Sequence, residues 1–91
     1  MNIVDSRKPI YGSIEGTAVI WQELLALLYS KEGFADAPPV VRYCLTTIAM
    51  KLARSANGTW KHGDGWRDIA ECARVIAEKA EEQEKEEQDN A

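Results

Sequence analysis

Ninety-one residues, 45% of them hydrophobic and 29% charged, suffice for one globular domain and argue against wholesale disorder. A net charge of −4 argues against general duplex-DNA binding, which needs a concentrated basic face. No apolar run approaches the ~18 residues of a membrane span, and Met1 to Lys8 holds no apolar signal core. Neither a membrane nor duplex nucleic acid is therefore expected as a partner, and the expected location is the cytoplasm.

The acidity is local. Residues 78–91 carry seven acidic side chains against Lys79 and Lys85, a balance of −5, so the rest of the chain is close to neutral. Residues 1–80 are expected to form a single helical domain and residues 81–91 an acidic, frayed or disordered C-terminal tail. Roughly 75 residues are then left to build a core, near the lower end of what folds alone, which makes oligomerisation an expectation.

Ser13 is suited to cap a first helix, in which Ile14, Ala18, Trp21, Leu25 and Leu28 recur at helical steps. Ile20, Leu24 and Leu27 widen that face beyond the stripe a surface helix needs, which predicts packing against more than one neighbour. Gly33 is expected to end this helix as its C-terminal cap. The segment from Phe34 to Pro39 cannot continue it, while Pro39 suits the first turn of a second helix. There Val41, Leu45, Ile48 and Leu52 give the core stripe, and the small Thr46, Ala49 and Ala53 permit a close helix approach on an adjoining face. Asn57 and Gly58 stop it.

Asp64 is placed to cap a third helix, with Trp66, Ile69, Ala70, Ala73, Ile76, Ala77 and Ala80 on one face and Asp68, Glu71, Arg74 and Glu78 towards the other. Beyond Ala80 the apolar stripe stops, leaving a solvated rod or a frayed end. The elements predict an all-α fold: a small three-helix bundle with room for short extra turns, a homo-oligomer joined through helices one and two. The apolar wrap of helix one exceeds what a three-helix monomer covers.

Between Asn57 and Trp66 lie three glycines, Trp60, Lys61 and His62. Lys51, Arg54, Lys61 and His62 form a candidate cluster for phosphate, with Trp60 or Trp66 offering a flat surface to a base. A structural reading of the same residues makes Trp66 the core anchor of helix three, and Lys51 and Arg54 caps on the carbonyl end of helix two. Arg7, Lys8 and Tyr11 add a second basic and aromatic patch ahead of helix one, whose N-terminal amides can receive an anion. No Ser, Cys or carboxylate motif flanks His62, so no catalytic residue is assigned.

Asp68 and Glu71, three apart, have a spacing that can chelate magnesium with help from other helices, although Arg67 and Arg74 stand near enough to neutralise them. Helix one offers only Glu15 and Glu23 as further carboxylates. Metal binding therefore belongs to a second reading, a magnesium-dependent enzyme with Glu23 assisting; the first reading needs no cofactor. Cys44 and Cys72 lack metal-site or disulfide-scaffold spacing and are expected as reduced, half-buried thiols.

Four blocks taken together resemble a family of small, functionally uncharacterised helical proteins from phages and prophages: Arg7-x-x-x-Tyr11-Gly12, Trp21 with Leu24 and Leu25, Met50-Lys51-Leu52-Ala53-Arg54, and Asp64-x-Trp66-x-Asp68-Ile69-Ala70. The resemblance spans about residues 7–77. The chain departs from the family where a tyrosine three residues after Ala70 is replaced by Ala73, and where the family's loop is shorter. More distantly, the Tyr-Gly, Lys-x-x-Arg and acidic helix-three elements are similar to those of phage nucleotide-modification-associated domains and of all-α nucleotide pyrophosphatases. The paired-glutamate magnesium motif of those pyrophosphatases is missing.

What the resemblance implies is a phage or prophage accessory protein, in a bacterial host's cytoplasm, that binds a nucleotide-like phosphorylated small molecule. It would sequester a host immune nucleotide signal without hydrolysing it. Two alternatives stand beside it. One is a pyrophosphatase-like enzyme in which Asp68 and Glu71 hold magnesium. The other is a protein-binding inhibitor of a host defence complex, using the acidic tail and the surplus apolar surface of helices one and two.

Overall fold

The computed structural model describes residues 12–89, which form a three-helix bundle of all-α class: α1 (Ile14–Tyr29), α2 (Pro39–Asn57) and α3 (Gly63–Asp89), with a 3-10 turn at Glu32–Phe34 between the first two. α2 is the central element. α1 and α3 pack on separate flanks of it and hardly touch each other. Among the described residues, all the buried apolar ones belong to α2: Val41, Cys44, Leu45, Ala49 and Ala53. Among the described residues no helix is long and apolar enough to cross a membrane.

The start of α1 follows from its cap. Ser13 has extended backbone, and its Oγ accepts the Gly16 amide proton at 3.0 Å, satisfying one of the donors a helix N-terminus leaves open. Asn57, the last residue of α2, presses on the same place. Its Nδ2 donates to the Ser13 carbonyl at 2.8 Å and to Thr17 Oγ1 at 3.2 Å. Two glycines make that contact possible. A Cβ on Gly16 would fall 2.8 Å from Asn57 Oδ1, and one on Gly12 would fall 2.4 Å from the Asn57 carbonyl oxygen. Gly12 also adopts a φ of 72°, a conformation costly for other residues.

Further along the interface, Trp21 Nε1 donates to the Thr46 carbonyl at 3.2 Å. Ala49 and Ala53 are essentially sealed, at 1% and 0% exposure, so the small residues admit the close approach their size predicts. The packed face of α1 differs from the expected stripe. Ile20, Trp21, Leu24, Leu25 and Leu28 are half-buried, but Ile14 and Ala18 are exposed and Leu27 is 70% exposed. One neighbour covers about one side of a helix, so a face wider than that keeps its edges in water.

Gly33 is not the cap of α1. The helix stops at Tyr29, where the Ser30 amide and hydroxyl both donate to the Leu27 carbonyl, at 3.2 and 2.6 Å. Gly33 lies inside the 3-10 turn that follows. Arg42 then fixes the turn onto α2. Its guanidinium donates to the carbonyls of Ala37, Phe34 and Ala35 at 2.9, 3.1 and 2.8 Å, and stacks over the Tyr29 ring 5.6 Å from its centre. Pro39 opens α2 as its first residue, and the Gly58 amide closes it on the Arg54 carbonyl.

α3 begins at Gly63, so Asp64 lies inside the first turn rather than ahead of it; there its carboxylate still meets the positive end of the helix dipole. The inward face is also rotated from the expected one. Ile69, Cys72, Val75 and Ile76 are half-buried against α2, whereas Ala70, Ala73, Ala77, Ala80 and Trp66 are exposed. With one helix to pack on, burying the larger branched side chains removes more apolar area from water than burying alanines, and that sets the rotation. Past Ala80 the helix runs on to Asp89 with every residue from 81 to 89 exposed.

Candidate functional site

The turn from α2 to α3 holds an open cleft of about 600 Å³, within the range of small-molecule sites. Leu52, Ser55 and Ala56 of α2 form one side, Gly58, Thr59 and Trp60 the turn, and Trp66 the other side. The turn is tied to α3: the Trp66 indole Nε1 donates to the Trp60 backbone carbonyl at 2.7 Å. That bond fixes the turn from within α3 and leaves the Trp60 side chain 69% exposed. Trp66, at 40% exposure, is a cleft wall and not the core anchor of its helix. An exposed indole at a cleft mouth, on a backbone tied to α3, presents a flat apolar face on which a planar ring can stack.

The basic residues expected to accompany the tryptophans are not gathered in one place. Lys61 and His62 directly follow Trp60 in the same turn without lining the cleft, and the Lys61 amide donates to Thr59 Oγ1 at 3.2 Å. Lys51 is engaged elsewhere: its Nζ lies 2.9 Å from Asp68 Oδ2, with only 19% of its side chain exposed, so it ties α2 to α3. Arg54, half-buried in the last turn of α2, is not a lining residue; its helical position turns it from the face carrying Leu52, Ser55 and Ala56. Arg7, Lys8 and Tyr11 lie outside the described residues.

Asp68 and Glu71 share a face of α3, but the groups that reach them are cations. Asp68 meets Lys51. Glu71 takes a two-pronged contact from Arg74, which also reaches Glu78. Hydrogen bonding from Arg74, reinforced by its charge, holds the Glu71 carboxyl below the usual range, and the same partners push the Arg74 guanidinium up. Among the described residues no group of three or more His, Cys, Asp or Glu side chains is arranged to hold a metal ion. Neither Glu15 nor Glu23 joins the pair, since α1 lies on the other flank of α2.

Both cysteines are unbridged, Cys44 buried and Cys72 half-buried. They face each other across the α2–α3 contact. Burial pushes the Cys72 thiol up, and its contact with Cys44 pushes it further, which leaves little thiolate for chemistry at neutral pH.

Two structural anchors escaped sequence reading. Arg42 carries no motif, and its role emerges only when the 3-10 turn brings three carbonyls to it. Asn57 reads as a helix stop, and it is one, but its amide also pins the start of α1. No family model matches the chain, and no curated protein and no solved structure matches it.

Proposed function

We propose that the chain binds a nucleotide-like phosphorylated small molecule at the α2–α3 turn, with a base stacked on Trp60. The observation that carries this reading is the exposed Trp60 indole, its backbone held by Trp66, at the mouth of a ligand-sized cleft and followed at once by Lys61 and His62. The base takes the indole face, and the phosphate is met by Lys61 and His62, the next two residues of the turn. Lys51, held by Asp68, supports the turn instead of meeting the ligand. The ion pairs on Asp68 and Glu71 favour binding without hydrolysis over the magnesium enzyme. With the sequence blocks similar to phage proteins, the reading extends to a phage or prophage accessory protein that sequesters a nucleotide signal of its host. Isothermal titration against mononucleotides, cyclic dinucleotides and ADP-ribose derivatives tests it: saturable heat from one class is expected, and no heat from any of them removes the reading.

The same reading includes self-association through α1 and α2, the latter exposing Val40 and Tyr43. No residue of α1 is fully buried, and Ile14, Val19, Leu27 and Tyr29 are all exposed large apolar side chains. A second copy presenting the same helix is the simplest cover for them.

A further inference from the structure

At the other end of α3, about 20 Å along the helix from Trp66, a groove of about 280 Å³ runs between the turn at residues 33–38 and the C-terminal half of the helix. Its floor is apolar, made by Phe34, Pro38, Val41, Ile76 and Ala80. Its rim is acidic. Asp36 stands on the turn side, and Glu84 and Glu87 stand on the helix side. The one cation on the rim, Lys79, is paired with Glu82 at 3.2 Å. Among the described residues no cation reaches Asp36, Glu84 or Glu87 within ion-pair distance.

We propose that this groove docks a basic amphipathic segment of a partner protein, its apolar side chains on the floor and its lysines or arginines on Asp36, Glu84 and Glu87. Charge complementarity commits the occupant. The α3 rod has no basic residue in its last turn, so Glu86, Glu87 and Asp89 stand at the negative end of the helix dipole. A cationic segment laid in the groove meets the unpaired carboxylates of its rim and the negative end of the helix while covering the apolar floor. The turn wall is already rigid, because Arg42 holds three of its carbonyls, so little order is lost on docking. A second copy of this chain fits poorly: the described helices offer no basic stripe, and its own rods would bring acid to acid.

The test is a titration of the isotope-labelled full-length chain with a synthetic helical peptide of leucine and lysine at amphipathic spacing, followed by amide chemical shifts. Saturable shifts centred on Phe34, Val41, Ile76 and Ala80 are expected, with affinity falling at least about tenfold as ionic strength rises from ~0.05 to ~0.5 M. A leucine–glutamate peptide of the same pattern should not bind. The triple variant D36N/E84Q/E87Q, altered only at exposed positions, should lose about tenfold in affinity while keeping its circular dichroism. The proposal is overturned if the lysine peptide does not saturate, if its shifts centre on α1 or on Trp60, if the triple variant binds it equally well, or if cross-linking finds a second copy of this chain in the groove. The nucleotide titration is independent of each of these outcomes, because the Trp60 cleft lies at the opposite end of α3.

Discussion

Lys51 of α2 and Asp68 of α3 are joined at 2.9 Å, so a lysine whose sequence context suggests a phosphate ligand and an aspartate whose context suggests a metal ligand neutralise each other across a helix interface. Lys51 is mostly covered and Asp68 is about half exposed, which places the pair between a surface ion pair and a buried one. A double-mutant cycle on Lys51→Met and Asp68→Asn should give a coupling of ~0.5–1 kcal/mol in chemical denaturation. Nucleotide affinity of Lys51→Met should stay within about threefold of the wild type, a difference of less than ~1 kcal/mol. A large loss of affinity with little loss of stability would return Lys51 to the ligand site.

The seam between Gly16 and Asn57 should be intolerant of added volume. Alanine normally stabilises a helix relative to glycine by ~0.5–1 kcal/mol. Gly16→Ala should nonetheless destabilise the fold by ~1–3 kcal/mol, because the new methyl would lie within 3.0 Å of Asn57 and Ser13 atoms. Removing the obstacle should recover part of that loss, so Gly16→Ala with Asn57→Ala should be less destabilised than the two single variants summed. Thermal melts of the four proteins decide this.

How much of this was legible beforehand depended on whether a residue acts through its own backbone or through a distant partner. Ser13, Pro39 and the Asn57–Gly58 stop work locally, and their positions in the helices follow from residue type. Ala49 and Ala53 were readable as a close-approach surface because nothing else at those positions is so small. The rotation of α3 was not readable, since both the alanine face and the Ile69–Cys72–Ile76 face have helical spacing and the choice rests on which one α2 meets. The tryptophan-bearing turn was recognisable from its composition, whereas the diversion of Lys51 needed Asp68 to be brought to it from seventeen positions along the chain.

Thiol reactivity should follow the helix interface. At neutral pH Cys72 should be alkylated more slowly than glutathione, with a rate that keeps climbing to higher pH than an ordinary thiol's, because burial and Cys44 hold it protonated. Cys44 should react only on unfolding. Iodoacetamide labelling followed by mass spectrometry measures both, and rapid modification of native Cys44 would mean that the α2–α3 contact opens.

Leu27 is the residue on which self-association should turn. It is 70% exposed, whereas Leu24 is half-buried against the bundle. Sedimentation at micromolar concentration should report at least a dimer for the wild type and a folded monomer for Leu27→Glu, which places a charge in the apolar contact. Leu24→Glu should instead lower stability by ~2 kcal/mol or more in the monomer itself. A wild type that sediments as a compact monomer would show that α1 needs no partner.

The most direct measurement on the central claim compares the wild type with Trp60→Ala by isothermal titration against the same nucleotide panel. The side chain is largely exposed, so its loss should leave the melting temperature within a few degrees, about 0.5 kcal/mol in a domain of this size. Removing the stacking face should cost ~1–3 kcal/mol of binding, roughly tenfold to a hundredfold in affinity. A saturable wild-type isotherm that weakens by this amount in a folded Trp60→Ala protein is the predicted result. Unchanged affinity in that variant, or a flat wild-type isotherm with every nucleotide, would contradict the account.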